Sequence, residues 1–270
     1  MFVWIASYPK SGNTLVRSML TSYFFSNDGV FNFDLIKNIK QFPSKELFKK
    51  FGFDPGNTKE VIKNYIKIQE KINDKNSVQF MKTHSYLFNI NNYGFTDLQN
   101  SLGVVYIVRD PRNVVTSWAN HNSSSVEDSC DYLINQKETI GNPITVFHGT
   151  WGSNYQSWKS FKFQDRYLLI KYEDLISDRK STFLKILKFI CKLNKTRYSV
   201  NQSKLDNVLE STSFKKMKDL EKNKGFSEAV IHRETKEKIT FFNQGPENNW
   251  KKLLDKKTID KLEKAFKDEM

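Results

Sequence analysis

The strongest constraint on the fold comes from the order of residue types in residues 2–25. The chain opens with a continuous apolar run at positions 2–6, which predicts a strand buried on both faces, as in a parallel sheet. Small and polar residues fill positions 7–14, and apolar residues then recur with helical spacing over positions 15–24. The segment therefore predicts a strand, a tight loop and a helix in succession.

The loop between this strand and helix has the properties of an anion site. A loop that enters a helix leaves backbone N–H groups unpaired, and the helix dipole adds partial positive charge there. Gly12 lets the backbone approach an anion, Lys10 adds a full charge, and Ser11 and Thr14 add hydroxyl donors. The order is not that of the Walker A loop, because the lysine precedes the glycine. The alternative is an ordinary strand-to-helix turn with an exposed lysine.

A second apolar run, at residues 78–81, predicts another strand, and Lys82 and His84 follow directly. Open α/β sheets bind their ligands at the carboxyl ends of their strands. A histidine at such a position titrates near neutral pH and can act as a base, although a lone histidine is more often structural. The pair is therefore a candidate catalytic site.

A third apolar run, at residues 104–108, predicts a strand that ends at Arg109. Asp110 suits the N-cap of the next helix and Pro111 suits its first position. The fork of donors on Arg109 can bind two phosphate oxygens, and Ser117 lies two turns into the helix. This strand end therefore predicts a second anion-binding position.

Composition limits the classes of function. The 270 residues contain no linker rich in proline, glycine or serine and no repeat, so we expect a single domain over residues 1–270. The net charge of +13 predicts an anionic partner such as a nucleotide, nucleic acid, an acidic glycan or a membrane surface. No apolar segment approaches the length of a membrane span. Two cysteines, and a strand at the very start that leaves no room for a signal peptide, favour a cytoplasmic location.

Together, these motifs resemble those of the cytosolic-type, PAPS-dependent sulfotransferases. The matching segments are Tyr-Pro-Lys-Ser-Gly at 8–12, Lys-Thr-His at 82–84, Arg-Asp-Pro-Arg at 109–112, Tyr-Glu-Asp at 172–174 and Thr-Ser-Phe at 212–214. The resemblance follows the family's order from residue 2 to residue 251. It implies an α/β fold: a parallel β-sheet flanked by helices on both faces, P-loop-like and similar to nucleotide kinases. The alternation of apolar strands with helical patterns favours the same fold independently.

The resemblance also implies the donor and the residues that bind it. The donor is 3′-phosphoadenosine-5′-phosphosulfate (PAPS), the product is 3′-phosphoadenosine-5′-phosphate (PAP), and no metal is needed. The residues that the resemblance assigns to donor binding are Lys10, Ser11, Gly12, Asn13, Thr14, Leu15, Arg109, Ser117, Tyr172, Thr212, Phe214, Asn243, Gln244 and Gly245.

The implied reaction is in-line sulfuryl transfer to a hydroxyl or an amine. His84 would take the proton of the acceptor, because a neutral imidazole is available near pH 7. Lys10 would stabilise the charge that builds on the bridging oxygen. Lys82 would help to neutralise the transferred group, and Ser117 would hold Lys10 aside until the acceptor arrives.

The sequence departs from the family pattern at three donor positions. Leu15 stands where the family has an aromatic residue against the adenine, and Asn243 and Gln244 stand where it has an arginine and a lysine against the 3′-phosphate. We expect a basic residue nearby to supply the missing cation, with Arg109 as the main ligand. The basic residues considered are Lys222, Lys224, Arg233, Lys236 and Lys238.

Two other functions stay open at this stage. A nucleotide kinase or ATPase would need a Walker A loop and a Mg²⁺ ligand. A basic nucleic-acid-binding protein would explain the charge, but no motif of that class is present, and we expect no nucleic-acid partner. The acceptor is expected to be a small molecule or a glycan that contacts residues 26–77 and 120–147. The sequence leaves the oligomeric state open, with a homodimer among the alternatives.

Overall fold

The apolar runs of the sequence form neighbouring strands of one sheet in the computed structural model, which describes residues 1–135, 139–140, 144–232 and 235–270. The strands are β1 (Phe2–Ser7), β2 (Lys40–Gln41), β3 (Gln79–Thr83), β4 (Asn89–Ile90), β5 (Tyr93–Gly94), β6 (Ser101–Val108), β7 (Thr139–Ile140), β8 (Thr145–Val146) and β9 (Tyr167–Lys171). The main sheet has the order β2-β3-β1-β6-β9, and all of its neighbouring strands are parallel. Strands β4 and β5, and strands β7 and β8, form two small antiparallel pairs.

The α-helices of the described residues connect and cover these strands. They are α1 (Asn13–Phe25), α2 (Lys45–Lys50), α3 (Thr58–Lys63), α4 (Tyr65–Ile72), α5 (Pro111–Asn122), α6 (Val126–Asn135), α7 (Trp151–Trp158), α8 (Tyr172–Ser177), α9 (Arg179–Leu193), α10 (Gln202–Ser211), α11 (Phe214–Lys224), α12 (Trp250–Leu253) and α13 (Lys256–Ala265). Short 3-10 turns lie at Leu35–Asn38, Lys159–Gln164 and Gly245–Glu247. Within the described part of the chain, no helix combines the length and the apolar character needed to cross a bilayer.

Strand β1 contributes to a separate core on each face of the sheet, because its side chains alternate in direction. Val3 and Ile5 pack with apolar residues of α1, α9 and α10 on one face. Phe2 and Trp4 pack on the other face with aromatic residues that include Phe48 of α2. All six residues of the strand are buried. The predicted parallel sheet with helices on both faces is therefore confirmed.

Local sequence signals also explain where two helices begin. The Asp110 side chain accepts a hydrogen bond from the backbone N–H of Arg112, and Pro111 takes the first position of α5, as predicted. The Thr150 hydroxyl and the Ser153 side chain form a reciprocal capping box at the start of α7. This cap orients α7 so that Trp151 packs into the interior between β6 and α13.

The edge strand β2 is the strand of the main sheet that the sequence did not predict. It consists of only Lys40 and Gln41, which pair with Met81 and Lys82 of β3. Two polar residues are too few to show the period-2 pattern of a strand. This strand is therefore recognisable only from its pairing with β3, and not from its own residue types.

We expect Gly103→Ala to destabilise the fold. A Cβ at Gly103 would lie 2.6 Å from Leu193 Cδ1 and 2.9 Å from the Arg166 carbonyl oxygen, so α9 and the loop before β9 would have to shift. Overpacking of this kind costs about 1–3 kcal/mol of unfolding free energy. Urea unfolding measures the loss, with Gly94→Ala as the control, since its Cβ would meet nothing closer than 3.5 Å. Equal stability of the two variants would contradict the expectation.

Candidate active site

Four neighbouring strands of the sheet, β3, β1, β6 and β9, open at their carboxyl ends into one cleft. The cleft has a volume of about 910 Å³. Since the strands are parallel, the residues that follow them meet at this edge of the sheet. Those residues are Lys10 after β1, His84 after β3, Arg109 after β6 and Tyr172 after β9, and all four line the cleft.

The loop between β1 and α1 turns sharply through two left-handed residues. Lys10 has a φ of 65° and Gly12 a φ of 99°. A Cβ at Gly12 would lie 2.5 Å from the ring of Tyr172, so a glycine is needed both for the conformation and for the close approach. The first turn of α1 has no side-chain cap, and its residues Asn13, Thr14 and Leu15 line the cleft.

Side chains from neighbouring segments fix the position of this loop. The Asn13 amide donates to the carbonyl oxygen of Ile5 at 2.9 Å and to the Ser7 hydroxyl at 3.1 Å. The guanidinium of Arg109 donates to the Lys10 carbonyl oxygen at 3.0 Å. The amide of Asn13 therefore holds the loop against β1, and any contact of Asn13 with an anion has to come from its backbone.

Hydrogen bonding sets the tautomer of His84. Its Nδ1 lies 2.9 Å from the carbonyl oxygen of Ser7 and 3.2 Å from the Ser7 hydroxyl oxygen. A carbonyl oxygen can only accept, so Nδ1 carries the proton and donates it. In the neutral ring, Nε2 then holds a lone pair, which makes it the basic atom of the side chain.

The surroundings of His84 keep its ring neutral. Burial lowers its pKa well below the usual value, and the nearby charge of Lys82 and the ring of His148 lower it further. Burial also lowers the pKa of His148 to about 3, with Lys82 again contributing. Both imidazoles are therefore uncharged at neutral pH.

The ammonium of Lys10 lies over the ring of Phe241, 4.2 Å from its centre. The pKa of Lys10 is lowered to about 8, chiefly by burial and also by the charges of Arg109 and Lys82, against an opposing effect of Glu228. Ser117 lines the same cleft. No hydrogen bond of the described residues joins its hydroxyl to Lys10, so the predicted holding contact is not made in this arrangement.

Lys82 meets an acidic partner that the sequence did not reveal. Its ammonium lies 3.3 Å from a carboxylate oxygen of Glu228, and the guanidinium of Arg17 lies 2.6 Å from the same oxygen. The Thr14 hydroxyl donates to the second carboxylate oxygen at 3.1 Å. Burial would raise the pKa of Glu228, but the charges of Lys82 and Arg17 outweigh that effect and hold the pKa well below its usual value. Glu228 is therefore ionised.

Aromatic rings and a glycine form the far end of the cleft. The Arg109 guanidinium stacks on the Tyr172 ring at 4.2 Å from its centre. Phe214 packs so tightly on Gly245 that a Cβ there would lie 2.2 Å from the ring. Thr212 is fully buried, and its hydroxyl donates to the Val208 carbonyl oxygen at 2.6 Å. Leu15, Asn243 and Gln244 also line the cleft.

Hydrogen bonds hold the segment around Gly245 against α5. The Thr116 hydroxyl donates to the Asn248 side-chain oxygen at 2.8 Å, and the Asn248 amide donates to the Asn113 carbonyl oxygen at 2.9 Å. The backbone N–H of Trp250 donates to the Asn113 side-chain oxygen at 2.9 Å. Residues far apart in sequence, such as Ser117 and Gly245, therefore share one wall of the cleft.

The basic residues expected to replace the missing cations do not line the cleft where the structure describes them. Those residues are Lys222, Lys224, Lys236 and Lys238, while Arg233 lies outside the described residues. Arg179 does line the cleft, although the sequence does not predict it. Its guanidinium donates to the carbonyl oxygens of Leu209 at 2.6 Å and Thr212 at 3.3 Å. Its position at the start of α9 carries no motif that marks it.

Only a few residues of the two segments expected to contact the acceptor, 26–77 and 120–147, line the cleft. Within residues 26–77, Gln41 alone lines the cleft, since most of that segment packs on the sheet. Within residues 120–147, the residues that reach the cleft are Asn120, His121, Asn122 and Val126. Residues 136–138 and 141–143 of that segment lie outside the described residues. Among the residues that are described, no cluster of His, Cys, Asp and Glu could hold a metal ion.

Several curated sulfotransferases are similar to this chain. Sulfotransferase 2A6 of Mus musculus is 27% identical over 177 residues, which cover 62% of this chain and 56% of that protein. The match therefore spans little more than half the length of that relative. Luciferin sulfotransferase of Photinus pyralis is 24% identical over 272 residues, which cover 97% of this chain and 70% of that protein.

Two solved structures share the fold. A retinol dehydratase in complex with androsterone and the inactive cofactor PAP superposes with a TM-score of 0.64 at 16% identity, covering 99% of this chain and 80% of that one. A mouse sulfotransferase complexed with PAP superposes with a TM-score of 0.62 at 18% identity, covering 100% of this chain and 84% of that one. The sulfotransferase domain profile matches residues 2–270. This chain therefore belongs to the sulfotransferase domain family.

Proposed function

We propose that this chain is a PAPS-dependent sulfotransferase that transfers a sulfuryl group to a hydroxyl or amine. One observation supports this proposal above the others. The Nδ1 proton of His84 is engaged by the Ser7 carbonyl oxygen, which leaves Nε2 as a base in a cleft that also contains Lys10 and Lys82. A neutral base beside two ammonium groups suits proton removal from an acceptor and stabilisation of an anion.

Buried polar atoms at the cleft suit the phosphate groups of the donor. The side chain of Ser11 is fully buried between the cleft-lining Lys10 and Gly12 without lining the cleft itself, and its hydroxyl has no hydrogen-bond partner among the described residues. The Nε of Arg109 is also buried without a partner there. Polar atoms that are buried without a hydrogen-bond partner are unfavourable unless a bound ligand supplies that partner. We assign the loop with Lys10 and Ser11 to the 5′ end of the donor, and Arg109 with Ser117 to its 3′-phosphate.

The other end of the cleft suits a purine. Tyr172, Phe214 and the apolar Leu15 offer flat or apolar surface, and Arg179 and Thr212 stand beside them. Stacking on aromatic rings contributes about 0.5–1.5 kcal/mol beyond area burial. Asn243 and Gln244 can offer only neutral hydrogen bonds to a phosphate, so we assign the main ionic contact to Arg109.

In the proposed reaction, His84 Nε2 takes the proton of the acceptor as the acceptor oxygen or nitrogen bonds to sulfur. The bond from sulfur to the bridging phosphate oxygen breaks, and PAP leaves with the bonding electrons. Lys10 stabilises the charge on that oxygen, and Lys82 faces the transferred group. These roles agree with the lowered pKa of His84, because an uncharged ring is required at the start.

The acceptor side of the cleft suggests the class of acceptor. Trp118, Val126 and Phe241 provide apolar surface in the same cleft as His84. We propose a small molecule that presents a hydroxyl or amine on an apolar body. We further propose that residues 1–270 work as one domain. The cytoplasmic location and the lack of a metal requirement stay predictions.

The first experiment is calorimetry with PAP, followed by PAPS turnover against a panel of phenols, alcohols, amines and saccharides. We expect PAP to bind and at least one acceptor class to release PAP. Binding and hydrolysis of ATP with Mg²⁺ but no binding of PAP would indicate a kinase or ATPase. Binding of nucleic acid alone, with steep salt dependence, would indicate the third function.

We expect His84→Ala to remove turnover while PAP binding survives. Loss of a general base typically costs about 10² to 10⁴ in rate. Steady-state turnover and calorimetry on the same preparation measure the two effects. His232→Ala is the control, since His232 lies outside the cleft lining. Turnover of His84→Ala near that of the wild type would remove His84 from the mechanism.

We expect the affinity for PAP to fall as the pH rises from 7 to 9. The pKa of Lys10 is about 8 in the free protein, so its ammonium is mostly charged at pH 7 and mostly neutral at pH 9. The loss is up to about tenfold, because one pH unit above the pKa leaves about a tenth of the groups charged. Lys10→Arg keeps its charge over this range and is the control. Calorimetry at both pH values measures the difference, and an equal pH dependence of both proteins would refute it.

We expect Arg109→Ala to weaken PAP binding much more than Arg112→Ala. Arg109 lines the cleft, whereas Arg112 is paired with Asp110 and Glu263. A charge-assisted hydrogen bond contributes about 1.5–3 kcal/mol, which corresponds to roughly tenfold to more than a hundredfold in affinity. Calorimetry compares the two variants. Equal effects would mean that the 3′-phosphate site lies elsewhere.

A further inference from the structure

The carboxylate of Glu228 takes the position of an anion at the start of α1. It accepts hydrogen bonds from Thr14 at 3.1 Å and Arg17 at 2.6 Å, and its ion pair with Lys82 spans 3.3 Å. We name the space bounded by Thr14, Arg17 and Lys82 the anion seat. Thr14 and Lys82 line the same cleft as Lys10, so the seat belongs to that cleft.

A carboxylate and a phosphate or sulfate oxygen pair have the same hydrogen-bond chemistry. Both are ionised acceptors that bind N–H, O–H and guanidinium donors. Both are also stabilised by the positive end of a helix dipole. Two such anions cannot share one set of donors, because the like charges repel each other. An anion that enters the seat therefore has to replace Glu228.

Phe226 anchors the segment that carries Glu228 in an apolar cluster with Phe31 and Met217, while the backbone hydrogen bonds next to Glu228 stay within the segment. The backbone N–H of Ala229 donates to the Phe226 carbonyl oxygen, and that of Ile239 donates to the Val230 carbonyl oxygen. The Glu228 side chain, in contrast, joins residues that lie 146 to 214 positions away. Its side chain also remains one quarter exposed. A change of its rotamer or of this segment can release the seat without breaking the sheet.

Building on the proposed function, we propose that Glu228 is an internal competitor of the donor. Its carboxylate fills the anion seat in the free protein and leaves when the 5′-phosphosulfate end of the donor binds. Glu228 thereby sets the affinity for the donor and links donor binding to movement of the segment around it. The apparent dissociation constant equals the intrinsic one divided by the fraction of molecules in which the seat is empty.

The test is calorimetry on the wild type, Glu228→Gln and Glu237→Gln, with two nucleotides. PAP carries a 5′-phosphate, which has to enter the anion seat. Adenosine 3′-monophosphate has no 5′-phosphate and leaves the seat to Glu228. We expect Glu228→Gln to bind PAP about tenfold more tightly than the wild type and to bind the 3′-monophosphate equally well. Glu237→Gln makes the same charge change at an exposed position of the same loop and should bind both nucleotides like the wild type.

Three results would overturn the proposal. Unchanged or weaker binding of PAP by Glu228→Gln would mean that Glu228 is a permanent partner of Lys82. Equal tightening for both nucleotides, or the same tightening in Glu237→Gln, would mean that overall charge causes the effect. Thermal melting checks that the variant folds. If it does not, Glu228→Asp replaces it, since the shorter side chain keeps the charge but reaches the seat less well and should tighten PAP binding several-fold.

The same experiment separates this proposal from the proposed function. If the wild type binds PAP and Glu228→Gln does not bind it more tightly, the donor site stands and the internal competitor fails. If neither protein binds PAP, inorganic pyrophosphate is the next probe. Tighter binding of pyrophosphate by Glu228→Gln than by the wild type would then support the anion seat without the sulfotransferase function, and equal binding would overturn both.

Discussion

The contacts that hold the loop between β1 and α1 determine the geometry of the whole cleft. Asn13 ties this loop back to β1, and Arg109 donates to its Lys10 carbonyl oxygen from the neighbouring strand end. His84 donates to the Ser7 carbonyl oxygen from the other side. The same contacts that fix the loop therefore also fix the tautomer of His84 and the direction of Arg109. A loop without these partners would leave the two side chains in the cleft but without a common orientation.

Charge balance in the cleft follows from burial as much as from residue type. Lys10, Lys82 and Arg109 all lose hydration in the cleft, and burial lowers the pKa of each. Glu228 offsets part of this clustered positive charge. The cleft thus combines a cationic surface with a buried His84 that stays neutral, since burial disfavours a charged ring and Lys82 would repel it. Anion affinity and base strength are therefore set by the same group of side chains.

The sequence was sufficient for the features that local signals encode. Buried apolar runs predicted the central strands, and Asp110 with Pro111 predicted the start of α5. The side chains at the strand ends, such as His84 and Arg109, could be placed because parallel strands bring their carboxyl ends together. Their chemical roles rest on the resemblance to sulfotransferases and stay proposals.

The features that the sequence could not reveal depend on contacts between distant segments. Glu228 lies 211 positions from Arg17, and no pattern in the intervening chain pairs them. The position of Arg17 does indicate an acidic partner, because a charged residue among the apolar residues of α1 has to be paired when it is buried. Arg179 gave none, since a basic residue at a helix start is ordinary on a surface. Proximity in sequence did not place Lys222, Lys224, Lys236 or Lys238 in the cleft lining, whereas Arg179 lies there.

The hydrogen bonds between α5 and the segment around Asn248 have a consequence for the rate of ligand binding. Asn113, Thr116 and Asn248 lock the wall near Gly245 to a helix, so this end of the cleft is formed before a ligand arrives. The end near Thr14 is occupied by Glu228. If Glu228 leaves when the donor binds, as proposed, a ligand that spans the cleft first binds at the preformed end near Gly245. It completes its contacts near Thr14 only after the Glu228 side chain has moved away. Association then has two kinetic phases, a concentration-dependent encounter and a slower first-order rearrangement.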